Sequence, residues 1–389
     1  MAHKGSFVFA QVVNFLNDNK FRRITDKFHG NRYVKHFTCW NQLLVLMFGQ
    51  LSNRVSMRDL IVSLKAHHTK WIRLGVGKNI TLSNLAKANE ERDYHIFEEF
   101  AFYMIEQARL RRINHIFQLE GNVYAFDSTT ISLCLSLFPW AKFRSKKGGV
   151  KVHVLFDVET LVPAFMLITC AKPHDRKAMV AIVYEPKSYY VFDRAYNCYK
   201  ELYRITLSQA FFVVRAKTNM KYKVVKWKRR LPKNILSDCL IQLADPNKFA
   251  QYPETIRMVK YWDEDTQREF VFLSNAKHLT AQQIADLYKS RWQVELFFKW
   301  MKGHLRIKRF WGTSVNAVRI QVYVAIITYC LVAIIQHDMK LDRSIYEILQ
   351  ILNISLTDTT PLVDLFCKSN FQDDKDHLAL NEPLLFDDF

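Results

Sequence analysis

The chain has 389 residues, with 56 Lys and Arg against 37 Asp and Glu, a formal charge of 56 − 37 = +19. At 49% hydrophobic and 24% charged residues it has the composition of a folded globular protein, which excludes wholesale disorder. So large a basic surplus points to a polyanion, either nucleic acid or an acidic membrane surface, and exceeds what small acidic metabolites require.

The length predicts two or three domains. Residues 1–87 carry 14 Lys and Arg and three acids, Asp18, Asp26 and Asp59, a net of 14 − 3 = +11. Their periodicity is helical. Thr38 precedes Trp40, Leu43, Leu44, Met47, Phe48 and Leu51 at helix spacing. Ser56 is placed to cap a second helix, with Asp59 in its first turn, and Thr81 or Ser83 a third. Short basic helices in this order suit a helix-turn-helix-like DNA reader; the other reading is a bundle that touches only protein. The concentration of charge favours DNA, so residues 1–112 are read as a helical, DNA-end-binding domain.

From about residue 120 the period shortens. Residues 122–127, 150–157, 161–169, 188–193 and 210–216 read as strands, with helices near 175–185 and 196–207. This mixed α/β pattern defines the first part of a core, 120–216. Residues 217–278 read as a β-rich insertion, with strand-like runs at 256–262 and 269–275. Helix dominates 279–340, and 341–389 is a carboxy-terminal segment with an acidic tail from Phe371. The longest apolar run, Val322–Ile335, falls short of the roughly 20 residues of a bilayer span and predicts a buried core helix. The amino terminus shows no apolar stretch leading to a cleavage site, so a cytoplasmic protein with no membrane partner is expected. Seven scattered cysteines with no CxxC predict reduced, mostly buried thiols and no zinc site.

Two runs end alike, in Phe-Asp. Asp127 closes VYAFD and Asp193 closes YYVFD, each placing a carboxylate where α/β proteins put their sites. A lone strand-end Asp more often starts a turn, the role expected of Asp157. On a single long helix, Tyr288, Arg291, Glu295 and Lys302 share an arc of about 60° at 100° per residue. A solvated face with an Arg291–Glu295 ion pair would do the same, but Leu287, Val294, Leu296 and Phe298 crowd around it. Three converging carboxylates suit hard cations such as Mg²⁺, and two such ions serve phosphodiester chemistry. Arg291 and Lys302 would then contact phosphate.

The spacing Tyr288-x₂-Arg291-x₃-Glu295-x₆-Lys302 resembles the YREK signature of DDE transposases of bacterial insertion sequences, in the IS-four-like group. Asp127 in FDSTT and Asp193 in FDRAY resemble the family's first two catalytic Asp residues, with Ala195 where Gly is common. Lys151 and His153 resemble its Lys-x-His pair. The resemblance covers roughly 120–335. It implies an RNase H-like core and cut-and-paste transposition, with Asp127, Asp193 and Glu295 holding two Mg²⁺ ions, for which Mn²⁺ can substitute. Water nicks the element end, and the freed 3′-OH attacks the opposite strand or target DNA. Related enzymes pass through a hairpin, with Tyr288, Arg291 and Lys302 gripping end phosphates. Double-stranded DNA, as terminal repeats and target, is the implied partner, with a homodimer in the synaptic complex and a nucleoid-associated location. The rivals are a non-catalytic relative acting as repressor or architectural protein, which has no need of all three acids, and a nuclease that cuts without joining.

Further DNA contacts are expected from the basic stretch 142–151, which includes Lys146, Lys147 and Lys151 and reads as a loop. A second basic stretch, 221–233, includes Arg229 and Arg230 and interleaves Tyr222 and Trp227; a solvated hairpin is the other reading. Trp292 is placed either to stack on an unpaired end base or in the core.

Overall fold

The computed structural model describes residues 6–77, 80–112, 117–144, 147–170, 175–228, 230–304 and 310–367. Lys146, Arg229 and the acidic tail lie outside them, as does the side chain of Lys147.

Six helices come first: α1 (Val8–Val13), α2 (Asp18–Lys27), α3 (Cys39–Leu51), α4 (Met57–Ala66), α5 (Leu82–Glu91) and α6 (His95–Arg111). Their starts follow the capping residues. The Thr38 side chain accepts the Asn41 N–H and completes a capping box, Ser56 accepts from Asp59 and Thr81 from Asn84. The apolar run from Cys39 buries α3 on nearly every side, eleven of its thirteen residues.

The core strands are β1 (Val123–Leu133), β2 (Lys142–Arg144), β3 (Lys147–Asp157), β4 (Val162–Cys170), β5 (Tyr189–Phe192) and β6 (Phe211–Arg215), with α7 (Tyr199–Leu207) between the last two. β1, β3 and β4 are successive antiparallel neighbours, and β5 and β6 join the other side of β1 in parallel. Three antiparallel strands continued by two parallel ones make the RNase H-like sheet. The stretch 142–151 is largely a hairpin of β2 and β3 rather than a loop. Asp157 does start a turn: its Oδ1 accepts the N–H groups of Glu159 and Thr160 at 3.0 and 3.1 Å.

The insertion contributes β7 (Tyr222–Trp227), β8 (Ile235–Leu243), α8 (Pro246–Gln251), β9 (Ile256–Asp263) and β10 (Arg268–Ser274). β10 pairs antiparallel with β6, so these strands extend the core sheet, with β7 at its far edge. Arg257 fastens them to the following helix. Its guanidinium grips Asp238 through Nε and Nη2 at 2.9 and 2.7 Å and donates to the Leu279 carbonyl at 2.5 Å.

After β10 come α9 (Ala281–Ser290), α10 (Trp292–His304), α11 (Val315–Asp338), α12 (Ile345–Ser355) and α13 (Leu362–Phe366). α11 is long and apolar enough to cross a bilayer, yet 94% of its most apolar window is buried inside the protein. It is the pillar against which α3 and α6 pack, and each fully buried Val, Leu or Ile contributes roughly 1.5–3 kcal/mol. One apolar cluster runs from the first helices through α11 to one face of the sheet; a second covers the opposite face with α7. Of the seven cysteines, Cys39, Cys239 and Cys330 are buried but Cys134, Cys170 and Cys367 are exposed, so the expectation of mostly buried thiols does not hold.

The chain enters β1 through a narrow passage. A Cβ on Gly121 would stand 2.1 Å from the Lys187 carbonyl oxygen. Gly121→Ala is therefore expected to destabilise the protein by about 1–3 kcal/mol, through displacement of backbone that no rotamer change relieves. A denaturant titration measures it.

Candidate active site

Strand parity places the two aspartates. Val123 and Ala125 on β1, and Tyr189 and Val191 on β5, enter the helix-covered cluster, whereas Tyr124, Phe126, Tyr190 and Phe192 enter the other. The next odd positions, Asp127 and Asp193, thus face α9 and α10. Parallel pairing ends at Phe126 and Phe192, so the two carboxylates leave adjacent strands side by side. Asp127 is not a strand end, as the sequence suggested: β1 runs on to Leu133 with Asp127 opposite Val154, because its antiparallel partner β3 continues after β5 has stopped.

The expected single helix is broken. α9 closes at Ser290, whose hydroxyl donates to the Leu287 carbonyl at 2.7 Å, and Arg291 N–H reaches only to Tyr288 O. A side-chain hydroxyl bonded to its own helix's carbonyl tightens the turn there. Arg291 keeps helical dihedrals at the joint, so Tyr288 and Glu295 still look the same way. Tyr288 donates to Asp193 at 3.2 Å. The Arg291 guanidinium bridges Asp127 at 3.2 Å and Glu295 at 2.5 Å.

Charge in this pocket is crowded. Burial foremost, then Glu295 and Asp193, raise the Asp127 carboxyl to about 6 against the opposing pull of Arg291 and the Ser128 amide. Burial also pushes the Tyr288 phenol up to about 12, leaving it a neutral donor. Burial works against the charge of Arg291, but Tyr288 and the three acids outweigh it and raise its pKa. Among the described residues no three His, Cys, Asp or Glu side chains are gathered closely enough to share an ion. Arg291 stands between two of the acids. The chemistry of the donor set nevertheless suits a hard divalent cation: all three are carboxylates, and Glu295 and Asp193 stand near enough to Asp127 for their charges to raise its carboxyl.

Other expected residues are placed differently. Lys151 and His153 fall on the opposite face of the sheet, since Val150, Val152 and Val154 face the helices. His153 is 1% exposed, bonded to Thr169 at 3.0 Å and stacked on Phe126, which removes it from direct DNA contact. Lys302 lies two turns beyond Glu295 on α10, half-buried. Trp292 is exposed beside the joint, not in the core. Arg230 is exposed, close in sequence to Trp227, which is likewise exposed.

The Transposase DDE domain family matches residues 118–331, more than half of the chain. A protein of Sinorhizobium fredii named as a transposase is 35% identical over 259 residues, 64% of this chain and 70% of its own length. The chain belongs to the DDE transposase family. Two proteins named as transposases of insertion sequence elements agree. The one from Geobacillus stearothermophilus is 29% identical, covering 64% of this chain and 66% of its own. The one from Synechocystis is 27% identical, covering 67% and 73%. Residues 4–77 of the transposase match a domain of unknown function. Among solved structures, that of a piggyBac transposase synaptic complex with hairpin DNA overlaps it at a TM-score of 0.44 and 13% identity, over 89% of this chain and 77% of that one.

Sequence reasoning missed two sets of site residues in this DNA transposase. Tyr196, within FDRAY, donates to Ser128 Oγ at 3.0 Å and reaches Asp127 at 3.5 Å. Its place directly after the already noted Ala195 was the available signal. Arg194, Arg215 and Lys217 line an open cleft of about 710 Å³ beside Asp193. Arg215 and Lys217 gave no such signal, because only the parallel pairing of β5 and β6 brings them there.

Proposed function

We propose that the transposase moves its element by cut-and-paste, with Asp127, Asp193 and Glu295 as the ligands of Mg²⁺ and as its catalytic acids. What carries this reading is the convergence of all three carboxylates on Arg291 and Tyr288 from two strands and a helix. Two bound ions would supply an activated attacking oxygen and a stabilised leaving oxygen at the phosphodiester. Water is the nucleophile for end cleavage and the freed 3′-OH for joining.

The chain's own groups orient and neutralise. Tyr288 fixes one oxygen of Asp193 through its hydroxyl, and Tyr196 does the same from beside Ser128 toward Asp127. Arg291 lies against two carboxylates, Asp127 and Glu295, and DNA phosphate competes with them for its guanidinium. Its departure would leave Asp127 and Glu295 with unbalanced charge, which a divalent cation relieves. Arg194, Arg215 and Lys217 line the cleft at Asp193 and offer cations to the incoming backbone. Residues 1–112 bind the element end, two copies pair the ends in a synaptic homodimer, and the enzyme works in the bacterial cytoplasm on the nucleoid.

The test is Mg²⁺-dependent cleavage and joining on duplex DNA from the element's ends, with Asp193→Ala alongside. End cleavage and strand transfer by the wild type, both lost in the variant, are expected. Cleavage without joining would make the protein a nuclease. Binding without cleavage across Mg²⁺ and Mn²⁺ would make it a non-catalytic DNA-binding relative.

A further inference from the structure

Among the amino-terminal helices, α3 is unsuited to reading a groove. α3 is buried on nearly all sides, and a recognition helix needs one open face. The loop joining α2 to α3 has the opposite character. Residues 28–37, FHGNRYVKHF, hold Arg32 and Lys35 and no acid, and His29, Arg32, Tyr33, Lys35 and His36 are all exposed. Tyr33, at 87%, is more exposed than any other large apolar side chain among the described residues. Its φ of 61° and that of His29, 51°, lie in the left-handed region, which side chains other than glycine disfavour.

The loop is nonetheless firmly held. A Cβ on Gly30 would meet Ile96 Cδ1 at 2.4 Å and Cys39 Sγ at 2.8 Å, so glycine lets the chain press onto α3 and α6. The Asn31 side chain accepts the Cys39 N–H at 2.8 Å. Arg92 donates to the Phe37 carbonyl, and to that of Thr38 at 2.8 Å. The tip is thereby pre-set, with the Arg32 guanidinium 4.9 Å over the Tyr33 ring and bonded to its hydroxyl at 3.0 Å. It overhangs a concavity of about 840 Å³ whose far wall includes Asn84 and Lys87 of α5. The acids on its rim have partners of their own: Glu91 meets Lys87 at 3.9 Å and Asp93 meets the His95 ring at 2.6 Å.

We propose that this loop is a duplex-DNA contact, in which Arg32 and Lys35 take backbone phosphates and the Tyr33 ring packs on sugar or an accessible base. A strained, exposed aromatic fixed between cations is the arrangement that nucleic acid rewards, through phosphate neutralisation and ring stacking. A second copy of this chain, itself at +19, offers such a loop mostly like charge. The inference rests on reading the amino-terminal region as the end-binding part.

Fluorescence anisotropy of the full chain, with a labelled duplex spanning the element's end and a scrambled duplex of equal length, tests it over a salt series. The Arg32→Ala, Lys35→Ala pair should weaken binding to both duplexes and make the log–log salt slope shallower by about 2. Tyr33→Ala should weaken binding about tenfold, with Tyr33→Phe restoring it. Thermal melting should stay unchanged, since these side chains are exposed. Wild-type affinity and slope in every variant overturn the loop assignment while leaving the end-binding reading intact. A wild type that binds neither duplex overturns both. Loss of self-association in sedimentation, with DNA affinity unaltered, shows a protein interface and overturns the proposal.

Discussion

Glu295→Gln is expected to abolish strand cleavage while leaving end binding and the fold in place. The Glu295 side chain is about one-third exposed and projects from α10 toward Arg291, so the isosteric amide disturbs no packed volume. Gln keeps an oxygen that accepts from the guanidinium, and Arg291 retains Asp127 at 3.2 Å. What is lost is one of three negative charges, and hard divalent cations depend on ligand charge. Removing a group whose role belongs to the reacting state costs roughly 10⁴-fold or more in rate. Single-turnover cleavage of end DNA, beside anisotropy on the same duplex, separates chemistry from binding. Cleavage within about tenfold of wild type would exclude Glu295 from the proposed acid triad.

The second large effect concerns stability. Asp238→Ala should destabilise the protein by about 3–5 kcal/mol, the scale of stranding one partner of a buried ion pair. Arg257 is 1% exposed and Asp238 nearly as deep, joined by two parallel bonds at 2.9 and 2.7 Å. Without Asp238, Arg257 would retain its contacts to the Ala276 and Leu279 carbonyls but no carboxylate within its grip. Lys228, which approaches Asp238 at 3.5 Å, would lose its partner as well. Because Arg257 ties β8 and β9 to the segment entering α9, loosening is expected to reach the helix carrying Tyr288. Urea unfolding followed by circular dichroism measures the loss. A double replacement by Asp238→Leu and Arg257→Met should recover most of it, since an apolar pair leaves no charge unmatched. A loss below about 1 kcal/mol for the single change would show that water reaches Arg257.

The sequence by itself determined the secondary structure wherever a local rule applied. Thr38, Ser56 and Thr81 start helices because a side-chain oxygen followed by an apolar run needs no tertiary help. The Phe-Asp endings and the Tyr288–Lys302 spacing likewise stand out within a few residues of chain. The membership of the DDE transposase family was legible for the same reason. What the sequence could not place were features set by which strands lie side by side. β1 outlasts its apolar pattern because β3 continues beside it, carrying Asp127 into mid-strand. The basic insertion is an extension of the core sheet because β10 finds the open edge of β6. Parity about that sheet sends His153 away from the acids, and the β5–β6 pairing brings Arg215 and Lys217 toward them. Local chemistry chose the elements; long-range pairing, which only the folded chain satisfies, decided which charges meet.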